Sequence, residues 1–145
     1  RITSSKQFKK CQTKMKKVII DTNAWLAIMT QGLDIFFAID DACDFEYELF
    51  TLEGTIDELE KICNTQKGKD KAAAQLALSI IHQKEDEEEV MILPSSGKTQ
   101  KHVDDELVKE SKQGSIVLTQ DKELKKRLTR PYLTIRQRNY IILVK

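Results

Sequence analysis

Four acidic positions carry the chemistry open to this sequence. Asp21 directly follows the β-branched run Val18-Ile19-Ile20, and Asp121 follows Ile116-Val117-Leu118 after Thr119-Gln120. Two further pairs, Asp57/Glu58 and Asp104/Asp105, stand where helical patterns begin. In an open parallel sheet, sites form beyond the carboxyl ends of the strands. Helices that follow those strands start at the same edge, so the four positions can converge. Carboxylates within about 4–6 Å raise one another's pKa and strain the fold. A hard divalent cation relieves that strain. Magnesium takes oxygen ligands, keeps several waters and leaves room for a phosphate. Such an ion can activate water and neutralise charge during in-line attack on a phosphodiester.

Each acid also has a purely structural reading. Thr55-Ile56-Asp57-Glu58 fits a capping box, with Thr55 as N-cap and Glu58 three residues on. Asp21, Asp104, Asp105 and Asp121 all suit helix starts, where a carboxylate favours the helix dipole. The signal for chemistry is the conjunction: all four positions fall at one edge of one sheet.

The elements that must position them follow from periodicity. Short β-branched or apolar runs at Val18–Ile20, Val90–Leu93, Ile116–Leu118 and Tyr132–Ile135 read as strands, with a weaker one at Glu48–Leu52 and a last one or a packed tail at Tyr140–Val144. Between them lie helical patterns. They are carried by Trp25, Leu26 and Met29; by Leu33, Phe36, Phe37 and Ile39; and by Ile56, Leu59, Ile62 and Cys63. Ala73, Leu76, Ala77, Ile80 and Ile81, then Val103, Leu107 and Val108, and finally Leu124 and Leu128 continue the series. Thr65–Lys71 and Ser95–Gln100 are expected as loops, Lys84–Glu89 as a solvated connection, and Gly114 as a helix C-cap. Continuous rather than alternating apolar strands indicate a parallel sheet buried on both faces. The expected class is therefore α/β: a three-layer α/β/α sandwich around a short, mainly parallel sheet.

The ordered set Val-Ile-Ile-Asp21-Thr-Asn23, Ile56-Asp57-Glu58-Leu59-Glu60-Lys61, Asp104-Asp105-Glu106-Leu107-Val108 and Val117-Leu118-Thr119-Gln120-Asp121-Lys122-Glu123-Leu124 resembles the PIN domain, a family of metal-dependent ribonucleases. The resemblance covers roughly 16–140. It implies that Asp21, Glu58, Asp105 and Asp121 hold one or two Mg2+ or Mn2+ ions, with Asn23 and Thr119 supporting them by hydrogen bonds. RNA phosphodiesters would be hydrolysed to 5′-phosphate and 3′-hydroxyl ends. The family motif points to Asp105, directly before Glu-Leu-Val; helical geometry puts Asp104 on the side of Leu107 and Val108 and keeps it as a second ligand candidate. Gln120 stands where the family often has a smaller polar residue. Residues 57–61, Gly68–Lys71, the Ala-rich helix and the acidic run 85–89 resemble small archaeal PIN proteins related to those that process ribosomal RNA. Toxins of toxin–antitoxin pairs share the same acids. PIN domains often pair, so a homodimer through apolar residues among 33–50 or 76–81 is a further expectation.

Charge is distributed unevenly along the 145 residues, although the formal net charge is only +1. Residues 1–17 hold seven Lys/Arg and no acid, residues 18–114 hold nine against 21 acids, and residues 115–145 hold eight against Asp121 and Glu123. Basic ends around an acidic middle suit a protein that holds a polyanion against a carboxylate site, although ordinary solvated helix faces also produce such runs. Lys125, Lys126, Arg127 and Arg130 form a basic stretch beside Asp121 and are candidate RNA contacts. Cys11, Cys43 and Cys63 are odd in number and lack CxxC spacing, which argues against a disulfide framework or structural zinc and for a reducing, cytoplasmic setting. No apolar run approaches the ~18 residues of a membrane span. Met15 before Lys-Lys-Val-Ile-Ile reads as a natural start, leaving 1–14 as a basic N-terminal extension and 15–145 as one domain.

His102, three residues before Asp105, could contact it; His82 reads as solvated or at the edge of the core, and Trp25 with Phe36/Phe37 as core. A non-catalytic RNA-binding scaffold is a competing class, distinguished by RNA that binds but is never cut. An aspartyl-phosphate transferase is disfavoured because Asp21-Thr22-Asn23 lacks the second Asp of the usual Asp-x-Asp.

Overall fold

The computed structural model describes residues 15–94 and 100–145, for 100–102 the backbone alone. The basic extension 1–14, most of the loop expected over 95–100 and any His102 contact lie outside the described residues. The chain alternates strands and helices. It runs through β1 (Lys16–Ile20), α1 (Thr22–Gln31), α2 (Ile35–Ala42), β2 (Tyr47–Leu52), α3 (Glu53–Thr65), α4 (Gly68–Asp86) and β3 (Val90–Leu93). It continues with α5 (Gln100–Lys112), β4 (Ile116–Leu118), α6 (Lys122–Arg127), β5 (Tyr132–Arg136) and β6 (Tyr140–Val144). The strands form a 6-stranded sheet in the order β3-β2-β1-β4-β5-β6. All neighbours are parallel except the terminal β5–β6 hairpin.

Strand alternation explains the three layers. Val18 and Ile20 of β1, with Ile116 and Leu118 of β4, face a core layer shared with Trp25, Ile28, Ile35, Ile39, Ala74, Ala77 and Ile81. Ile19 and Val117, from the same strands, face the opposite layer with Val103, Leu107, Leu124 and Leu128. A strand buried on both faces must be apolar throughout. Asp21 follows β1 because the polar edge of the sheet begins where the two layers end.

Helix boundaries depart from expectation at three places. Thr55 is not an N-cap: β2 passes straight into α3, whose N-cap is Leu52 with no side-chain bond. Thr55 is fully buried, and its hydroxyl has no hydrogen-bond partner among the described residues. Glu58 consequently lies in the second turn, where it is not consumed by a cap. Asp104 and Asp105 likewise lie in the second turn of α5 rather than at its start. The third departure is α4, which absorbs Gly68–Lys71 from the expected loop and Lys84–Asp86 from the expected connection. Lysine and alanine are strong helix formers, and polarity alone is not a helix stop. Leu76, 48% exposed, lies outside the buried stripe of Ala73, Ala74, Ala77 and Ile81.

The cap of α5 is a Schellman motif. Gly114 (φ +99°) donates to Ser111 C=O at 3.2 Å, and Ser115 donates to Glu110 C=O at 3.0 Å. Trp25 is core, its indole N–H directed to Thr51 Oγ1 at 3.4 Å. Phe37, also expected in the core, is 71% exposed. Asp34 caps α2 by accepting from the Phe36 and Phe37 N–H groups, and the resulting phase turns Ile35, Ala38 and Ile39 inward instead. Phe36 packs beneath the Lys84 ammonium, 5.0 Å from the ring centroid. Among the described residues no helix is long and apolar enough to cross a membrane.

Candidate active site

The sheet register brings the two strand-end acids together. Ile20 of β1 is paired with Leu118 of β4, so the residues that follow, Asp21 and Thr119, emerge side by side. The Asp21 N–H donates to Leu118 C=O at 2.9 Å, and Thr119 N–H donates to Leu133 C=O at 3.1 Å. Asp21 caps α1, its Oδ1 accepting from Thr22 N–H at 2.8 Å. Its Oδ2 accepts from the fully buried Thr119 hydroxyl at 2.8 Å. The same Thr119 oxygen accepts the Asp121 N–H at 3.1 Å, tying the two aspartates through one hydroxyl. Asn23 Oδ1 accepts the Gln120 N–H at 3.0 Å, with Thr119 Oγ1 at 3.2 Å. Asn23 and Thr119 thus fasten the β1–α1 junction to the β4–α6 loop.

Glu58 reaches this junction from α3. Its Oε1 accepts from the Thr22 hydroxyl at 2.7 Å. Thr22 was not singled out in the sequence, although a hydroxyl directly after a strand-end aspartate is a usable signal. Asp104 approaches from α5, close enough to act electrostatically on both Asp21 and Glu58.

Electrostatics mark Asp21 as the strained member. Burial pushes its pKa from 3.8 up to about 7, against the lowering effect of the Thr119 and Thr22 hydrogen bonds, and the charges of Asp104 and Glu58 push further in the same direction. Only 1% of Asp21 is exposed. The Glu58 pKa is also raised, first by burial and then by Asp104, with the Thr22 hydrogen bond and Lys61 opposing. Three carboxylates on separate elements therefore share one neighbourhood.

Asp105 is not brought into this group. One residue on, helical rotation of about 100° turns it away, and it pairs with Arg127 at 2.7 Å, both side chains 48% exposed. Asp121 stands at the margin: its Oδ1 caps α6, accepting from Glu123 N–H at 2.9 Å and Leu124 N–H at 3.3 Å. Among the described residues, no three acidic, histidine or cysteine side chains stand close enough to ligate one ion directly. The donor set nevertheless fits a hard cation. It is all oxygen, its innermost acid is buried beside like charges, and magnesium needs only one or two carboxylates with waters completing its shell.

Gln120 supplies the remaining strut. Its Oε1 accepts from Ile135 N–H at 2.7 Å and the Thr134 hydroxyl at 2.8 Å, while Nε2 donates to Ile135 C=O at 3.4 Å. The amide mimics a strand backbone and extends a β4–β5 pairing whose register rests on Leu118 and Leu133. Gln120→Ala should destabilise the fold by about 2 kcal/mol, because the buried Ile135 N–H loses its acceptor. Urea unfolding checks this, and Gln120→Glu, which keeps an acceptor oxygen, should lose less.

The basic residues expected to meet RNA separate in the structure. Lys126 pairs with Glu123 at 3.2 Å, Arg127 with Asp105, and Arg130 donates to Lys145 C=O at 3.3 Å. Lys125 instead has Arg136, Lys122 and Asp121 as its charged neighbours.

Residues 18–138 match the family described as PIN like domain. Ribonuclease VapC4 of Methanocaldococcus jannaschii is 28% identical over 133 residues, spanning 87% of this chain and 95% of that protein. Among solved structures, the PIN domain endonuclease Utp24 superposes with a TM-score of 0.68 at 25% identity, covering 88% of this chain and 90% of its own. A domain of a functionally unknown protein from Methanocaldococcus jannaschii superposes with a TM-score of 0.56 at 17% identity, a likeness of fold, covering 84% of this chain and 94% of that one.

Proposed function

Because the chain belongs to the PIN-like domain family, we propose that it is a divalent-metal-dependent endoribonuclease whose acidic centre is Asp21, Glu58, Asp104 and Asp121. The observation that carries this reading is the buried Asp21 carboxylate, held between Thr119 and Thr22 and crowded by Glu58 and Asp104. A carboxylate so placed is costly unless a cation completes it. The similarity to a ribonuclease and to a PIN domain endonuclease supports RNA as the substrate. Asp21 and Asp104 would hold Mg2+ or Mn2+, and Glu58 and Asp121 would act on it through waters of its shell. When bound, the ion supplies activation of water and neutralisation of charge at the phosphodiester.

The chain's own residues do the positioning. The Thr119 hydroxyl fixes the rotamer of Asp21 by donating to Oδ2, and the Thr22 hydroxyl fixes Glu58. Asn23 and Gln120 hold the Asp121 loop against them. Asp105 serves in this reading as a structural partner of Arg127.

Single-stranded and stem-loop RNA incubated with the protein in Mn2+, Mg2+ or EDTA tests the proposal, beside an Asp21→Asn/Asp121→Asn double variant. Metal-dependent cleavage that vanishes in the variant, leaving 5′-phosphate ends, is the expected result. If no RNA is cut and metal leaves the melting temperature of wild type unchanged, the carboxylates are helix caps and the proposal falls. A role in ribosomal RNA processing and a toxin-type role both fit this chemistry. The likeness to Ribonuclease VapC4 favours testing the second by growth arrest on expression.

A further inference from the structure

The sheet and α6 assemble a cationic group that the acidic site does not use. Leu124 and Leu128 seat α6 on the sheet face that also holds Ile19 and Val117. Along β5, Leu133 and Ile135 face the other layer, and Tyr132 packs on the α6 side. Period-two alternation therefore puts exposed Arg136 on the α6 side as well, at the carboxyl end of β5, the edge from which Asp21 and Asp121 emerge. The Gln120 amide locks this strand end to the loop carrying Asp121 through both the N–H and the C=O of Ile135. Just beyond Arg136 the chain turns through two left-handed residues, Gln137 (φ 52°) and Arg138 (φ 64°), closed by Asn139 N–H to Arg136 C=O at 3.2 Å. Non-glycine residues take this conformation at a cost of order 1 kcal/mol each. The strained turn ends β5 abruptly at Arg136.

Lys125, on α6, is near enough to Arg136 to feel its charge. It is partly buried, and Arg136 and Lys122 crowd it while Asp121 opposes them. Burial first, then those two cations, lower its ammonium pKa. Arg136 and Lys122 each repel the Lys125 ammonium, and an anion placed beside it relieves that repulsion. Lys126, Arg127 and Arg130 already have carboxylate or carbonyl partners.

We propose that Lys122, Lys125 and Arg136 form a phosphate cradle on the Asp121 side of the acidic site, built by the Gln120 splice, which grips a backbone phosphate of the RNA next to the one that is cut. The choice of RNA as the polyanion rests on the ribonuclease reading. The cradle is sequence-independent, because phosphate contacts position a strand without reading its bases. It also separates two duties on α6: Lys125 meets substrate, and Lys126 and Arg127 hold the fold's surface pairs.

The test reads binding apart from cleavage. Anisotropy of a labelled single-stranded RNA oligonucleotide is measured in EDTA over a salt series, in an Asp21→Asn background. Lys125→Met/Arg136→Gln keeps the apolar stems and removes two charges. It should weaken binding about tenfold or more at low salt and reduce the salt slope by roughly two. Lys126→Met should leave affinity within about twofold, because Glu123, 3.2 Å from that ammonium, offsets its charge. Melting curves confirm that each variant is folded, and Arg136→Lys beside Lys125→Met, which returns one of the two charges, should recover roughly half of the lost slope. Unchanged affinity and slope in the double variant overturn the cradle, as does a loss equally large in Lys126→Met. RNA that binds wild type through the cradle, while no RNA is cut and Mn2+ leaves the melting temperature unchanged, upholds the cradle and sinks the nuclease.

Discussion

Asp21→Asn should abolish metal-dependent RNA cleavage and, at the same time, make the metal-free protein more stable near neutral pH. The second effect follows from proton linkage. In the folded chain Asp21 keeps its proton up to about pH 7, whereas its ordinary value is 3.8. Between those values the folded state binds more protons than the unfolded state, so stability falls as pH rises through that window. Below about pH 4 both states are protonated and the contribution is fully present; above about pH 7 it is lost. Glu58, also raised, acts in the same direction. Asparagine removes the buried charge while keeping an acceptor for Thr22 N–H. The gain for Asp21→Asn at pH 7.5 should be about 2–4 kcal/mol, a melting temperature higher by several degrees. At pH 4 the difference should shrink towards zero.

Metal should reverse the order. Saturating Mn2+ stabilises the wild type through binding to the folded state, and the variant should respond little. A site that gives up stability to hold like charges in place is the stability–function trade-off in its simplest form. Thermal melts of both proteins at pH 4 and 7.5, in EDTA and in Mn2+, check all four expectations. If Asp21→Asn is less stable than wild type at pH 7.5 without metal, Asp21 is an ordinary helix cap, and the strained-carboxylate reading of the site is wrong.

The second large effect separates two adjacent residues. Asp104→Asn should lower kcat by about a hundredfold or more, since the carboxylate proposed to share the cation's charge is lost. Its Mn2+-induced rise in melting temperature should shrink with it. Asp105→Asn should leave kcat within about threefold and cost at most about 1 kcal/mol, because its pair with Arg127 is half exposed. The contrast is large because the two side chains point to different neighbours from consecutive positions on one helix. The opposite result, with Asp105 essential and Asp104 dispensable, would mean that the Arg127 pair opens when metal binds. In that case Asp105 returns as the ligand that the family motif names.

Several elements were legible in the residues because their signal is local. Val18-Ile19-Ile20 and Ile116-Val117-Leu118 are too apolar to have any exposed face, and that property indicates a central parallel strand with helices on both sides. Asp21 and Asp121 follow directly from where those runs stop. Gly114 was readable as a cap because the left-handed backbone there suits glycine. Thr55 was misread because its capping-box pattern is a side-chain pattern, whereas the helix was started two residues earlier by a strand that ran into it without a loop. Phe37 was misread because a cap at Asp34 sets the phase of a short helix more strongly than the count of its apolar residues.

By itself, then, the sequence determined the layer architecture, the edge of the sheet at which chemistry could occur and the acidic character of that edge. These depend on hydrophobic runs, chain order and residue type, all of which are properties of the chain read in one dimension. Tertiary structure alone decided which carboxylates meet. Helix rotation sends Asp104 inward and Asp105 to Arg127, and the burial that raises Asp21 to about pH 7 exists only after both layers have closed over it. It also decided which cations meet. Lys125 lies near Arg136 of the strand that Gln120 ties to the Asp121 loop, whereas its neighbours Lys126 and Arg127 pair with Glu123 and Asp105. Direction around a helix and loss of water are set by packing between elements distant in the chain, and neither is a property of residue type or spacing.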